Sequence, residues 1–244
     1  MKKRTLLVST AILLVAVMAL ATASFAWFTA GADAKAQGLT INATAGSALL
    51  IKGDDDSAFG KVGTTTLSQT TMVPATSIDG VSFFQLDDTK AEVLSAGNSA
   101  ATKIGGGAIA AGDLTSTLTG TYKAEVHYQL KNSGSTAMAV SANVALGQSG
   151  TIWNAVRVAV LTSTDGSTYT SQGVYALNPS ATAVGGSLAA PTYKTNNAQC
   201  YASLDGGDTI DVKLVVWFEG QDTNCYTDAV STTASTITVT FTGA

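Results

Sequence analysis

Apolar and polar residues alternate with a period of two along most of this chain. Residues 121–131 show it best: Tyr122, Ala124, Val126, Tyr128 and Leu130 point one way, and Lys123, Glu125, His127, Gln129 and Lys131 the other. That is the signature of a strand with one buried face. Asn132-Ser133-Gly134 marks a turn, and Met138, Val140, Ala142, Val144 and Leu146 form the next apolar row, so the pattern predicts a hairpin over 121–146. Val156, Val158 and Val160 lead into Asp165-Gly166, a second tight-turn signal, with 168–174 returning. Residues 209–218 are the most apolar segment. Ile210, Val212, Leu214, Val216 and Phe218 share one face while Val215 and Trp217 occupy the other, which predicts a central strand covered on both sides. In 236–242, Ile237, Val239 and Phe241 alternate with four threonines. Leu39, Ile41 and Ala43 alternate likewise, with 48–52 as a candidate pairing partner. The pattern is all-β. It weakens over 53–120, where Asp54-Asp55-Asp56, 98–102 and Gly105-Gly106-Gly107 read as loops and a short strand fits 82–85; this stretch reads as a loop-rich insertion.

The start of the chain departs from that pattern. Lys2, Lys3 and Arg4 precede an apolar run over 6–23, and small residues flank Phe25 at Ser24 and Ala26. Positive cluster, apolar core and small-x-small site, in that order, make a secretory signal peptide. An apolar run of about 18 residues also suits an uncleaved membrane anchor, but the small-residue site stands where a peptidase needs it. Cuts after Ala23 or after Ala26 both fit. The expectation is an exported protein, with residues 1–26 a helical signal peptide and 27–244 a single domain, a length that β-sandwiches reach without division.

Cleavage changes the charge. Three of the 13 basic residues lie in the leader and none of the 17 acidic ones do, which leaves a net charge of −7 and Arg157 as the only arginine. That composition argues against nucleic acid, whose binding needs clustered Lys and Arg, and against an anionic membrane surface. Charged residues make up 12% of the chain, about half the usual share, so the surface is polar but weakly charged and disposed to self-association.

Candidate chemistry is sparse. The only histidine, His127, lies on the polar face of a strand and reads as solvated. HExxH and G-x-S-x-G motifs are absent, and one histidine leaves little scope for a nucleophile–base pair. Asp54-Asp55-Asp56 lacks the D-x-D-x-D-G spacing of a calcium loop and reads as an acidic turn. Cys200 and Cys225, an even count in an exported chain, point to a disulfide, with two free thiols or metal ligands as the alternatives. Arg157, alone in an apolar strand, needs a partner if covered; Glu219, at the end of another apolar strand, is a candidate. In Trp217-Phe218-Glu219-Gly220-Gln221-Asp222, aromatics end a strand and two acids follow. The cluster reads as a braced strand end, or else as an acidic, aromatic-lined site for a ligand or metal.

Ala26-Trp27-Phe28-Thr29 after an apolar leader, the short strand at Gly38-Leu39-Thr40-Ile41, the strands over 122–146, Val156-Arg157-Val158-Ala159 and the Trp217-Phe218-Glu219-Gly220 cluster together resemble the TasA/camelysin family of exported Gram-positive proteins. The resemblance covers the leader and about half of the remaining chain. It implies processing by a SipW-type signal peptidase between Ala26 and Trp27, and a jelly-roll β-sandwich. It also implies assembly into biofilm-matrix fibres, in which the segment bearing Trp27 and Phe28 adds as a strand to the next subunit. Camelysin-like members are classed as metallopeptidases, but no zinc motif is legible here. The expected function is therefore a secreted matrix or cell-surface fibre subunit, self-associating and needing no cofactor. A surface adhesin or carbohydrate-binding module is the alternative, and a metallopeptidase a lesser one.

Overall fold

Two β-sheets pack face to face around one apolar core. The computed structural model describes residues 36–43, 48–63, 72–73, 75–86, 114–116, 118, 121–146, 151–176, 192–194, 196–220, 222, 225 and 235–244. The signal peptide, the Trp27–Phe28 arm and most of the 53–120 insertion therefore lie outside the described residues.

Among the described residues, thirteen strands run in chain order: β1 (Ala36–Ala43), β2 (Leu49–Gly53), β3 (Val62–Gly63), β4 (Gln85–Leu86), β5 (Leu114–Thr115), β6 (Ala124–Asn132), β7 (Met138–Leu146), β8 (Val156–Ser163), β9 (Thr170–Ala176), β10 (Tyr193–Lys194), β11 (Ala198–Leu204), β12 (Thr209–Phe218) and β13 (Ser235–Gly243). One sheet has the order β11-β7-β13-β1-β3, the other β10-β9-β8-β12-β6-β2, and β4 with β5 forms a small separate ribbon. The alternation predicts an all-β chain and the resemblance a sandwich, and a sandwich forms, mostly antiparallel, with two parallel pairs among the described strands: β1 on β13 and β10 on β9.

Burial follows the period-two pattern. Val126, Tyr128 and Leu130 of β6, Ile210, Val212, Leu214 and Val216 of β12, and Val156, Val158 and Val160 of β8 meet Val140 and Ala142 of β7 and Ile237, Val239 and Phe241 of β13 in the shared core. β12 sits between β8 and β6, paired over eight positions with each, and is covered on both faces over 214–218, where Val215 and Trp217 predict it, while Asp211 and Lys213 stay half-exposed on its outer face. β8 and β9 form the hairpin expected around Asp165-Gly166.

Two pairings differ from expectation. β6 and β7 belong to different sheets, so the Asn132-Ser133-Gly134 turn is an arch across the core and not a hairpin. The cause is Asn132, which is fully buried. Its Nδ2 donates to the carbonyls of Thr136 (2.7 Å) and Leu204 (2.9 Å), and its Oδ1 accepts from Gly134 N–H (2.9 Å). The side chain thus satisfies backbone groups that a hairpin ladder would have satisfied, and the two apolar faces meet across the sandwich. Likewise β2 pairs with β6, not with β1. The turn after β2 is closed by Asp56, whose carboxylate accepts from Gly53 N–H at 2.7 Å.

Within the 53–120 stretch, residues 75–86 lie across the outer face of the six-stranded sheet as a strap. Ala75 and Phe83 pack there on Ala159, Leu161, Val174, Val215 and Trp217. At the strap's bend Gly80 has φ of 74°, and a Cβ there would come within 2.2 Å of the Ala159 methyl. Only glycine fits so close an approach in that conformation.

Candidate functional site

The sequence cluster after β12 becomes a buried polar knot. Arg157 lies on the outer face of β8, level with Trp217 on β12 and Ala176 on β9. It is fully buried, as is Asp222, and its Nη2 donates to Asp222 Oδ2 at 2.5 Å. Nε donates to the Tyr193 hydroxyl (3.0 Å) and Nη1 to the carbonyls of Asn154 (2.8 Å) and Val156 (3.1 Å). The Tyr193 ring stacks under the guanidinium, with its centroid 4.8 Å away. Burial works against this charge, but Tyr193 and Asp222 outweigh it and hold the Arg157 pKa above its ordinary value. Burial pushes the Tyr193 phenol upward, with Arg157 pulling the other way.

Glu219 does not pair with Arg157, contrary to expectation. Its carboxylate accepts instead from Thr76 Oγ1, from Ser77 N–H at 3.3 Å and from Trp217 Nε1 at 3.2 Å. Two of those three donors belong to the strap, and the backbone adds to the seam: Ala75 N–H donates to Phe218 O (3.1 Å), and Gly220 N–H to Ala75 O (3.0 Å). The two acids, three residues apart, thus separate their duties. Asp222 turns inward through a bond from its N–H to Glu219 O (3.0 Å) and takes the cation, while Glu219 collects neutral donors from the strap. Phe218 faces the core, with its ring centroid 5.9 Å from that of Trp153. What the knot does chemically is hold strand ends and strap together, because its ionised groups are sealed from solvent.

The disulfide is a correction. Cys200 and Cys225 are separate free thiols, both buried. Cys200 Sγ donates to the Val140 carbonyl at 3.3 Å from the edge strand β11, and burial pushes this thiol up to about 12. Cys225 sits beside the knot, its N–H bonded to Asp222 O at 2.8 Å. Burial first, then Glu219 and Asp222, raises its pKa as well. Thiols so disfavoured as thiolates behave as small core side chains.

A second site was not legible in the sequence. Beyond the strap, the outer face of the same sheet opens into a hollow of about 410 Å³, lined by Lys52, Gly53, Asp54, His127, Tyr128, Gln129, Tyr169 and Asp211. Pairing puts Lys52, Gln129, Asp211 and Ser163 in one row across four strands, and His127 beside Lys213 in the next. Gln129 Nε2 donates to Asp211 Oδ1 at 3.0 Å, and the Tyr169 hydroxyl lies 3.4 Å from His127 Nδ1. Lys213 Nζ stands 4.2 Å from the Tyr169 ring centroid and 3.6 Å from Glu125. Among the described residues, no group of three or more His, Cys, Asp or Glu side chains is placed to hold a metal ion. Comparison with protein-family models, with characterised proteins and with solved structures finds no match to this chain.

Proposed function

We propose that the protein is an exported structural subunit of an extracellular matrix or cell surface, polymerising into fibres through its N-terminal strand. The observation that carries this reading is the seat of β1. It lies parallel to β13, paired at six positions from Ala36↔Ser235 to Ala43↔Phe241, and on its other side meets β3 at only Ile41 and Asn42. The next strand in the chain, β2, belongs to the other sheet. A strand with no hairpin to the strand it pairs with leaves the same backbone seat available to a second copy's β1 in the same register. Exchange of that kind runs head to tail and does not close, so it propagates. The weakly charged composition and the resemblance to TasA/camelysin proteins support the same reading. So does the sealed knot, which braces the fold. In this reading a signal peptidase cuts between Ala26 and Trp27, and Trp27 and Phe28 travel with the donated strand.

Negative-stain microscopy of the secreted protein at rising concentration tests it. Mass spectrometry is expected to find Trp27 at the N-terminus, and β-rich fibres are expected to form. Deletion of 27–43 abolishes them, and an excess of peptide 36–43 shortens those of the full protein by capping free seats. Fibres that form equally well without 27–43 and ignore the peptide overturn strand exchange. A secreted protein that stays monomeric at high concentration overturns the fibre.

A further inference from the structure

We propose that the open, polar half of the outer face of the six-stranded sheet is a binding site for an uncharged, polyhydroxylated ligand, that is, a carbohydrate. This goes beyond the fibre reading and does not depend on it. The hollow's volume, about 410 Å³, falls within the range of small-ligand sites, roughly 300–1,000 Å³.

Its chemistry narrows the ligand. Lys52, Gln129 and Asp211 stand in register on three neighbouring strands, so a donor, an amide offering both functions and an acceptor lie side by side. A sugar ring presents the matching array, because each hydroxyl both donates and accepts. Charge argues against the alternatives. Lys52 shares the hollow with Asp54 and Asp211, so a phosphate would meet two carboxylates for one ammonium, and among the described residues no group of three or more His, Cys, Asp or Glu side chains is placed to ligate a metal.

The wall is also preorganised. Tyr169 is fixed at the rim by its hydroxyl against His127, by the His127 ring standing edge-on at 5.8 Å and by Lys213 above its face. Asp211 is oriented by Gln129. Groups already fixed before binding lose little entropy on meeting a ligand. A featureless solvated sheet face would show neither the concavity nor these cross-strand bonds.

The test is an NMR titration of the secreted, processed chain, kept below the concentration at which microscopy shows fibres, with cellopentaose, maltopentaose, mannopentaose and chitopentaose, each to about 10 mM, enough to register binding of millimolar strength. At least one is expected to move the amides of Gly53, His127, Gln129 and Asp211 together, leaving the strap amides in place. Asp211→Asn and Gln129→Ala are each expected to weaken that binding by about tenfold with the melting temperature unchanged. Inorganic phosphate and calcium chloride serve as rival probes. No movement with any of the four sugars, shifts that survive both substitutions unchanged, or tighter binding of either salt at these amides overturns the proposal. Fibre formation is read by microscopy on the same preparation at rising concentration, so failure here is distinguishable from failure of strand exchange.

Discussion

Along β12 the outward side chains change character halfway. Trp217 and Val215 lie under the strap with Phe83 and Ala75, while Asp211 lines the open hollow and Lys213, on the same face, is half-buried over the Tyr169 ring. The same change runs along β8, from the sealed Arg157 through Ala159 and Leu161 to Ser163 at the polar row. One sheet face therefore carries two regimes. In the covered half, polar groups are buried and each answers to a specific partner, so removing one strands another. In the open half, polar groups are half in water, which replaces any partner lost. The covered half is built to stay shut, and the open half has interaction surface to spare.

The sharpest way to break this contrast is at the knot. Asp222→Ala leaves the Arg157 guanidinium buried without its anion and is expected to cost about 3–5 kcal/mol. Arg157→Met combined with Asp222→Leu is expected to recover most of that, because an apolar pair of similar volume removes the desolvation cost along with the attraction. Lys213→Ala in the open half, which deletes an ion pair to the partly exposed Glu125, is expected to cost no more than about 1 kcal/mol. Urea denaturation of the four proteins checks the ranking, and equal costs for Asp222→Ala and Lys213→Ala would erase the distinction.

A smaller and more local effect is expected at Glu219. Glu219→Gln keeps the shape but turns one oxygen into a donor facing Thr76 Oγ1 or the N–H groups of Ser77 and Trp217. The expected cost is about 1–3 kcal/mol, felt mainly as opening of the strap. Amide exchange is expected to quicken at Ser77 and at Gly80, whose N–H is held by Ser77 Oγ at 2.9 Å, while β6 and β12 stay protected. Uniform loss of protection across the sandwich would mean that the strap is not a separate unit.

How much of this was legible in the sequence depends on what alternation can carry. It specifies which side chains share a face, so β6, β8, β12 and β13 were readable, and β12 was recognisable as doubly covered because Val215 and Trp217 break its polar side. Alternation does not say which sheet a strand joins. β6 and β7 looked like a hairpin because an arch and a hairpin have the same one-sided pattern; only the buried Asn132 tells them apart. β11 escaped notice because two register shifts spoil its period. The knot was legible in Arg157, Trp217, Glu219 and Asp222 but not in their pairing, and Tyr193, Thr76 and Ser77, which come from distant segments, were not legible at all. Glu219 continues the strand and Asp222 lies beyond a turn, and only the turn's geometry decides which acid reaches Arg157. The cysteines misled because an even count, even where export is expected, says nothing of distance. The hollow was invisible because Lys52, Gln129 and Asp211 are adjacent only through register, and His127 was read alone.

The gentlest probe of the open half is Asp165, in the β8–β9 turn. Its carboxylate accepts from Thr168 N–H and Ser167 N–H, each at 2.8 Å, and from Ser163 Oγ at 2.7 Å. These bonds, led by those from Thr168 and Ser167, hold its pKa well below the ordinary 3.8. A carboxyl depressed in the folded state stabilises it fully above the ordinary value, and that contribution is lost as pH falls below that value toward the folded-state one. Asp165→Asn keeps an acceptor oxygen but no charge, and the site is fully exposed, so the expected loss at neutral pH is the smallest of the three. The melting-temperature gap between wild type and Asp165→Asn is expected to narrow between about pH 7 and about pH 2. The hairpin's amides at Ser167 and Thr168 are expected to report the same titration by NMR. A gap that widens on acidification would mean that the turn is held by its neighbours in the polar row and not by its own carboxylate.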